Sequence, residues 1–359
     1  MPLAIVEDVL QGIPPSLQWP VKICLYTTIA CYVLSLATGN VSQVDRIWTF
    51  MPAIYTAYFA LMPLWPKISP LPLFPYTPED VLPGVADTYN PRALLMASLT
   101  VLWMFRLSYN TWRRGLFNLQ DEDYRWAVLR QRIPAWLFHI TNLTFIAAIQ
   151  NVILFLLGIP TYIAAFQQPG QLSTSDYILA SLALLDLAIE FTADNQQYSF
   201  QTYKHTGVIE KNEWLGANLN WTPADATRGF ITRGLWAWSR HPNFLCEQTF
   251  WILITLFPIL APEAPPLSVI PTSSITPLWP LTPALVLCTL FFSSTLFTES
   301  ISLSKYPEGY RAYQQRVAMF VPFLTPVWGM LLDFQGKKKA IDDYLFGQTS
   351  AKTLALKEE

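Results

Sequence analysis

Seven stretches of the chain stay apolar long enough to cross about 30 Å of hydrocarbon, which takes some twenty helical residues at 1.5 Å each. They lie at 20–38, 46–65, 91–108, 135–165, 176–193, 243–261 and 281–301. The fourth exceeds what a crossing needs, which predicts a tilt or a break at Gly158 and Pro160. The Pro-rich stretches 63–83 and 258–283 cannot be continuous helix and read as rigid loops. The pattern predicts an all-α, polytopic membrane helical bundle of about seven spans. It forms one membrane domain over 1–359, with the polar residues 336–359 as a mobile cytosolic tail.

Composition supports the bilayer as partner. Of 359 residues, 52% are hydrophobic and only 13% charged, against about 25% charged in soluble domains. A net charge of −2 gives no basis for nucleic-acid binding. Basic residues fall in the loop after span three (Arg113, Arg114, Arg125, Arg130, Arg132), the loop after span five (Lys204, Lys211, Arg228, Arg233) and the tail. The connections 166–175 and 262–280 have no Lys or Arg. The positive-inside rule then puts the C-terminus in the cytosol and the N-terminus outside. Glu7 and Asp8, with no basic n-region, do not read as a cleaved signal peptide, so the first span targets the chain, with the endoplasmic reticulum as default membrane. Cys24, Cys31, Cys246 and Cys288 lie in or beside apolar runs without CxxC spacing and read as small buried hydrophobes.

The most informative segment is Gly234-Leu-Trp-Ala-Trp-Ser-Arg240-His241-Pro-Asn243-Phe-Leu-Cys-Glu247. Pro242 suits a first helical position, so Arg240 and His241 stand where a helix dipole is positive, a site suited to an anion such as pyrophosphate or carboxylate. Asn243 and Glu247 follow at i and i+4 on one helix face, where simple capping is the plainer alternative.

Asp186, Glu190 and Asp194 repeat at i, i+4, i+8 on span five, one stripe on one face. Intramembrane carboxylates are costly and face a partner or a cavity. A polar pocket and an ion pair with Arg106 are the two readings, and for Asp194 a solvated helix end suffices. Tyr306, Tyr310 and Tyr313, at i, i+4, i+7 with Pro307 in the first turn, fit either an interfacial aromatic belt or stacking against a cofactor. Asp45, opening span two, and Arg106 are candidates for substrate or for internal pairing. The run Asp121-Glu-Asp-Tyr-Arg125 reads as a solvated loop helix. His139 and His205 are isolated, and no spacing suggests a metal.

In order, Trp-Met-Phe-Arg106-Leu, Glu190-Phe-Thr-Ala-Asp194-Asn-Gln, Gly234-Leu-Trp…Ser-Arg240-His-Pro-Asn243-Phe, Glu247 and Tyr310…Tyr313…Phe-Val-Pro322-Phe resemble an uncharacterised integral-membrane family related to the steroid 5α-reductase C-terminal domain, over roughly residues 40–325. Arg-His-Pro is also similar to isoprenylcysteine carboxyl methyltransferases and phospholipid N-methyltransferases. The resemblance implies that Asn243, Glu247 and Asp194 hold NADPH, with Cys246 where those reductases have Gly and Glu190 where they have Asn.

The expectation is an NADPH-dependent reductase of a carbon–carbon double bond in a lipid-soluble, sterol-like or isoprenoid substrate. Arg240 and His241 would take phosphate oxygens, Arg228 or Arg233 a 2′-phosphate, and Tyr306, Tyr310 and Tyr313 would line the cofactor. Tyr109 would polarise the substrate carbonyl, with Glu190 as the second catalytic group. The alternatives are an S-adenosylmethionine-dependent membrane methyltransferase and a non-catalytic membrane scaffold.

Overall fold

The structure is a computed structural model that describes residues 12–81, 83–209, 214–264 and 276–347. Glu7, Asp8, Lys211, the middle of the 258–283 loop and the tail beyond 347 lie outside the described residues. Among the described residues every regular element is helical. The principal helices are α1 (Pro15–Thr38), α2 (Met51–Ala60), α3 (Pro91–Arg113), α4 (Ala135–Phe166), α5 (Thr174–Thr206), α6 (Pro242–Ile259), α7 (Thr282–Lys305), α8 (Pro307–Arg316), α9 (Leu324–Phe334) and α10 (Lys338–Phe346).

Among the described residues, three helices are long and apolar enough by themselves to cross a membrane. These are Pro15–Thr38, Ala135–Phe166 and Leu278–Lys305, the last containing α7. Only 17% of the most apolar window of α1 and 22% of that of Leu278–Lys305 is buried, which leaves broad apolar faces for lipid. The second expected span is interrupted. Gln43–Ile47, α2 and the 3-10 turn Met62–Leu64 follow one another, with the ladder carried across the gap by Trp48 N–H to Val44 O at 2.9 Å and Ile54 N–H to Phe50 O at 3.0 Å. Pro52, having no N–H, sits in the first turn of α2, where none is needed.

By contacts the chain forms two compact units: Met1–Leu184 with Trp251–Leu287, and Leu185–Phe250 with Cys288–Glu359. In the first unit Trp19 stacks on Tyr58 at 4.6 Å, and Phe59 meets Tyr162 edge-on at 5.2 Å. Residues 65–81 have no regular helix and are held against α1 and α2 by side-chain hydrogen bonds. Trp19 Nε1 donates to Leu73 O at 3.0 Å, Tyr58 Oη to Tyr76 O at 3.0 Å and Thr77 Oγ1 to Met62 O at 2.7 Å. The buried Arg92 is paired with Asp176 at 2.8 Å and with Glu263, tying the start of α3 to that of α5 and to the segment after α6.

The α4 path contains a π-helical stretch, Asn142–Ile149, and breaks at Leu157–Gly158, where the sequence places it. Gly158 is required by packing, since a Cβ there would lie 2.7 Å from Tyr55 Cβ. The run 121–125 is not a solvated helix. Asp123 is buried, caps Tyr124–Arg132 and receives Arg125 at 2.9 Å, while its backbone N–H meets Ser42 Oγ at 2.9 Å. Burial alone would raise the Asp123 carboxyl, but the neighbouring Arg125 charge and hydrogen bonds outweigh it and hold the group below the usual aspartate value.

In the second unit Phe230, Tyr310, Tyr313, Leu332 and Leu345 form one cluster, and Phe200, Trp221 and Trp236 another. The first residues of the expected tail are helical and packed as far as Phe346. α10 buries Ile341 and Leu345, the Tyr344 hydroxyl closes on Gly309 so tightly that a Cβ there would collide, and Thr232 Oγ1 donates to Leu345 O at 2.7 Å.

Gly158→Ala is expected to cost about 1–3 kcal/mol through overpacking. Gly39→Ala, which meets only the left-handed φ of +68° in open space, should cost about 1 kcal/mol. Thermal unfolding of the detergent-solubilised protein checks the order.

Candidate functional site

The second unit holds most of the sequence-derived candidates, and three of them, Arg240, His241 and Tyr310, meet on a residue that the sequence reading passed over. Glu299 on α7 is buried and receives Arg240 Nε at 2.7 Å, Arg240 Nη2 at 3.1 Å, Gln314 Nε2 at 2.7 Å and Tyr310 Oη at 3.4 Å. His241 Nε2 lies 2.9 Å from the same carboxylate. Arg240 Nη1 donates to the carbonyls of Gln314 and Val317. The backbone is pinned as well, with Arg240 N–H on Ala318 O at 2.9 Å and His241 N–H on Met319 O at 3.1 Å. Thr325 Oγ1 donates to Trp238 O at 2.6 Å and accepts Ala318 N–H at 2.9 Å, so the 317–325 segment forms the bed of the Arg-His-Pro motif.

This corrects the picture of two open cations at the helix start. Pro242 does begin α6, but Arg240 and His241 are 6% and 8% exposed. A buried guanidinium needs a counter-charge, which Glu299 supplies. Burial pushes the His241 imidazole below its ordinary value; the Glu299 hydrogen bond and charge oppose this, and the Arg240 charge reinforces it. His241 is therefore neutral at neutral pH and donates from Nε2, so its contact is a hydrogen bond to a carboxylate and not an ion pair. The signal for Glu299 was present as a lone carboxylate in the apolar run 281–301.

A second group of polar residues comes from α5 and α6. Asn243 Nδ2 donates to Asp194 Oδ1 at 3.2 Å, and Glu190, Asp194 and Glu247 are 2%, 3% and 5% exposed. Asp186 is buried on the same stripe, so the solvated helix end considered for Asp194 does not hold. The Asn243 Oδ1 atom is buried and accepts no hydrogen bond among the described residues.

The tyrosines are scaffold in this geometry. Tyr310 and Tyr313 are 4% and 2% exposed, pack on Phe230 at 5.2 and 5.4 Å, and are not an interfacial belt. Tyr313 Oη donates to Trp236 O at 2.5 Å, and burial raises both phenols above the ordinary tyrosine value, so they remain protonated. Tyr306 accepts Lys204 Nζ at 3.1 Å and covers Gly229, whose φ of +87° and close ring contact admit no Cβ. Arg228 is engaged by Asp225 at 2.8 Å and by Thr232 and Tyr344, and Arg233 by Asp225 at 3.1 Å; neither is an open cation for a 2′-phosphate.

Asp45, Arg106 and Tyr109 belong to the first unit. Asp45 accepts Trp126 Nε1 at 2.9 Å, an internal pairing. Arg106 is buried. Tyr109 is 45% exposed, with the Arg113 guanidinium 5.2 Å over its ring. That is the setting of an interfacial aromatic, and it is unlike the water-poor site in which a polarising donor works.

The His241 shift fixes a sign. The unfolded chain binds a proton near the ordinary value of 6.5 that the folded chain refuses. Stability contributed by the neutral imidazole is thus full above that pH and falls as the pH drops below it. Thermal midpoints measured on either side of that value should fall more steeply with acid in the wild type than in His241→Gln; equal slopes would contradict the assignment.

The chain is 32% identical over 292 residues to "Uncharacterized protein C594.04c" of Schizosaccharomyces pombe, covering 81% of this chain and 75% of that one. No solved structure matches it. A family model described as "Protein of unknown function (DUF1295)" matches residues 31–317, which takes in the Arg240–His241 segment, Glu299 and all three tyrosines, and the chain belongs to that family.

Proposed function

We propose that the chain is an NADPH-dependent membrane oxidoreductase that reduces a carbon–carbon double bond of a lipid-soluble, sterol-like or isoprenoid substrate. The observation that carries this reading is Asn243. Its amide nitrogen is committed to Asp194, while its buried Oδ1 accepts nothing among the described residues. A buried acceptor without a donor is costly, and a carboxamide N–H or a ribose hydroxyl supplies the missing donor. Asp194 and Glu247 add acceptors for sugar hydroxyls on the same two helices. These residues fit the nicotinamide-ribose part of the cofactor.

The residues expected at the phosphate end fit less directly. Arg240 and His241 are already bound by Glu299, so we assign them to positioning: they fix the first turn of α6 and with it Asn243 and Glu247. Tyr310 and Tyr313 support that segment from behind. NADPH would supply a hydride when bound, and the chain's part is to hold it, orient it and exclude water. Glu190, one turn before Asp194 and buried, is the candidate for proton handling. Exposed Tyr109 has no part in this reading.

For the membrane we propose seven crossings, with the N-terminus non-cytosolic, the C-terminus cytosolic and the endoplasmic reticulum as location. The basic loops support this sidedness. Residues 43–64 follow a nearly continuous helical path, roughly 33 Å at 1.5 Å per residue, enough for the second crossing.

Ligand-dependent thermal unfolding of the purified full-length protein tests the proposal. NADPH at a hundredfold its Kd should stabilise by about 2.7 kcal/mol. Asn243→Leu should remove that shift, and its ligand-free midpoint should fall only by the loss of the hydrogen bond to Asp194. Stabilisation by S-adenosylmethionine and not by NADPH would replace the reading with a methyltransferase, and no shift from either would leave a scaffold.

A further inference from the structure

The first unit contains a cavity of about 280 Å³ where the end of α1 meets the start of α4, two helices that are each long and apolar enough to cross a membrane. Leu36, Val41 and Phe138 form apolar walls, Arg130 and His139 stand at the rim, and Ser35 and Asn142 lie within. Asn142 is 3% exposed and opens the π-helical stretch of α4, a local widening often found at functional sites.

The hydrogen bonding at the inner end is one-sided. Ser35 Oγ donates to Tyr32 O at 2.7 Å, so it can only accept from Asn142 Nδ2, also at 2.7 Å. That chain of donors fixes the amide orientation. It leaves Oδ1 of Asn142, a residue that lines the cavity, buried with no donor among the described residues. The rim cation is already spent, because Arg130 holds Glu122 through two contacts at 2.9 Å and lies over the Phe138 ring at 4.6 Å. An anionic head group therefore finds no uncommitted guanidinium at the rim, and at the inner end it would face the lone pairs of Asn142 Oδ1. A neutral hydroxyl finds the acceptor it needs.

We propose that this cavity binds the hydroxyl head of a neutral, single-chain lipid alcohol, with the hydroxyl donating to Asn142 Oδ1. The volume of about 280 Å³ lies just below the roughly 300–1,000 Å³ of ligand pockets, room for one head group and the top of one chain. The rest of the chain has a path, since Ile29, Val33 and Leu36 follow at i, i+4, i+7 on α1 and are 47%, 55% and 50% exposed. The site uses residues of the first unit only, and the inference does not rest on the reductase reading.

Photolabelling of the full-length protein in phosphatidylcholine nanodiscs with a diazirine-bearing long-chain alcohol tests this. Saturable labelling is expected in the peptides carrying Leu36 and Phe138, competed by hexadecanol about tenfold more strongly than by hexadecanoate, as expected for one hydrogen bond gained at a buried acceptor. Asn142→Leu should lower labelling by about the same factor. Ala135→Trp, at the exposed first position of α4, should block the mouth while keeping the thermal midpoint. Unsaturable labelling, equal competition by alcohol and carboxylate, or labelling unchanged in Ala135→Trp would overturn the proposal and leave water as the partner of Asn142.

Discussion

Arg240 carries a charge that cannot be titrated away, and at 6% exposure it must be met by an opposite charge or the local fold fails. Glu299 meets it with both carboxylate oxygens and takes hydrogen bonds from His241 and Gln314 as well. The start of α6, the 317–319 backbone and the first turns of α8 are arranged around this one carboxylate. Because removing either charge orphans the other, the interaction acts as a constraint more than as a source of net stability.

The motifs that looked like separate functional elements in the sequence are parts of one assembly. Arg-His-Pro supplies the cation and the neutral imidazole, the Tyr310–Tyr313 pair fills the space behind, and the segment leading into Phe-Val-Pro gives its carbonyls to Arg240. The assembly is close to electroneutral inside. Directly after it comes the first turn of α6, where Asn243 reaches Asp194 and its Oδ1 has no partner among the described residues. The reductase proposal rests on that polar surface and not on the cations.

The helices were legible in the sequence because apolar runs bounded by Pro and basic residues report directly on helices in lipid. The break at Gly158 was legible too, as was the helix start at Pro242. Partners were not. An Arg beside a Pro-initiated helix looks like an anion site until the counter-ion is known, and Glu299 is 59 residues away. The docking of α10 was hidden for a similar reason. Residues 338–346 are polar on average, and only the placement of Ile341, Tyr344 and Leu345 on one face against Gly309 and Thr232 makes them core. In the 121–125 run, charge density suggested solvent, yet Asp123 is the cap and ion-pair partner of the helix that follows.

The central claim, that Arg240 and Glu299 are one internal unit, is tested most directly by a double-mutant cycle on unfolding free energy in detergent. Glu299→Gln and Arg240→Gln singly should each cost about 3–5 kcal/mol, since each strands a buried charge. The double variant should cost less than their sum by about 1–3 kcal/mol. Additive losses would show that the two side chains do not depend on each other, and would return Arg240 to the role of an open cation at the helix start.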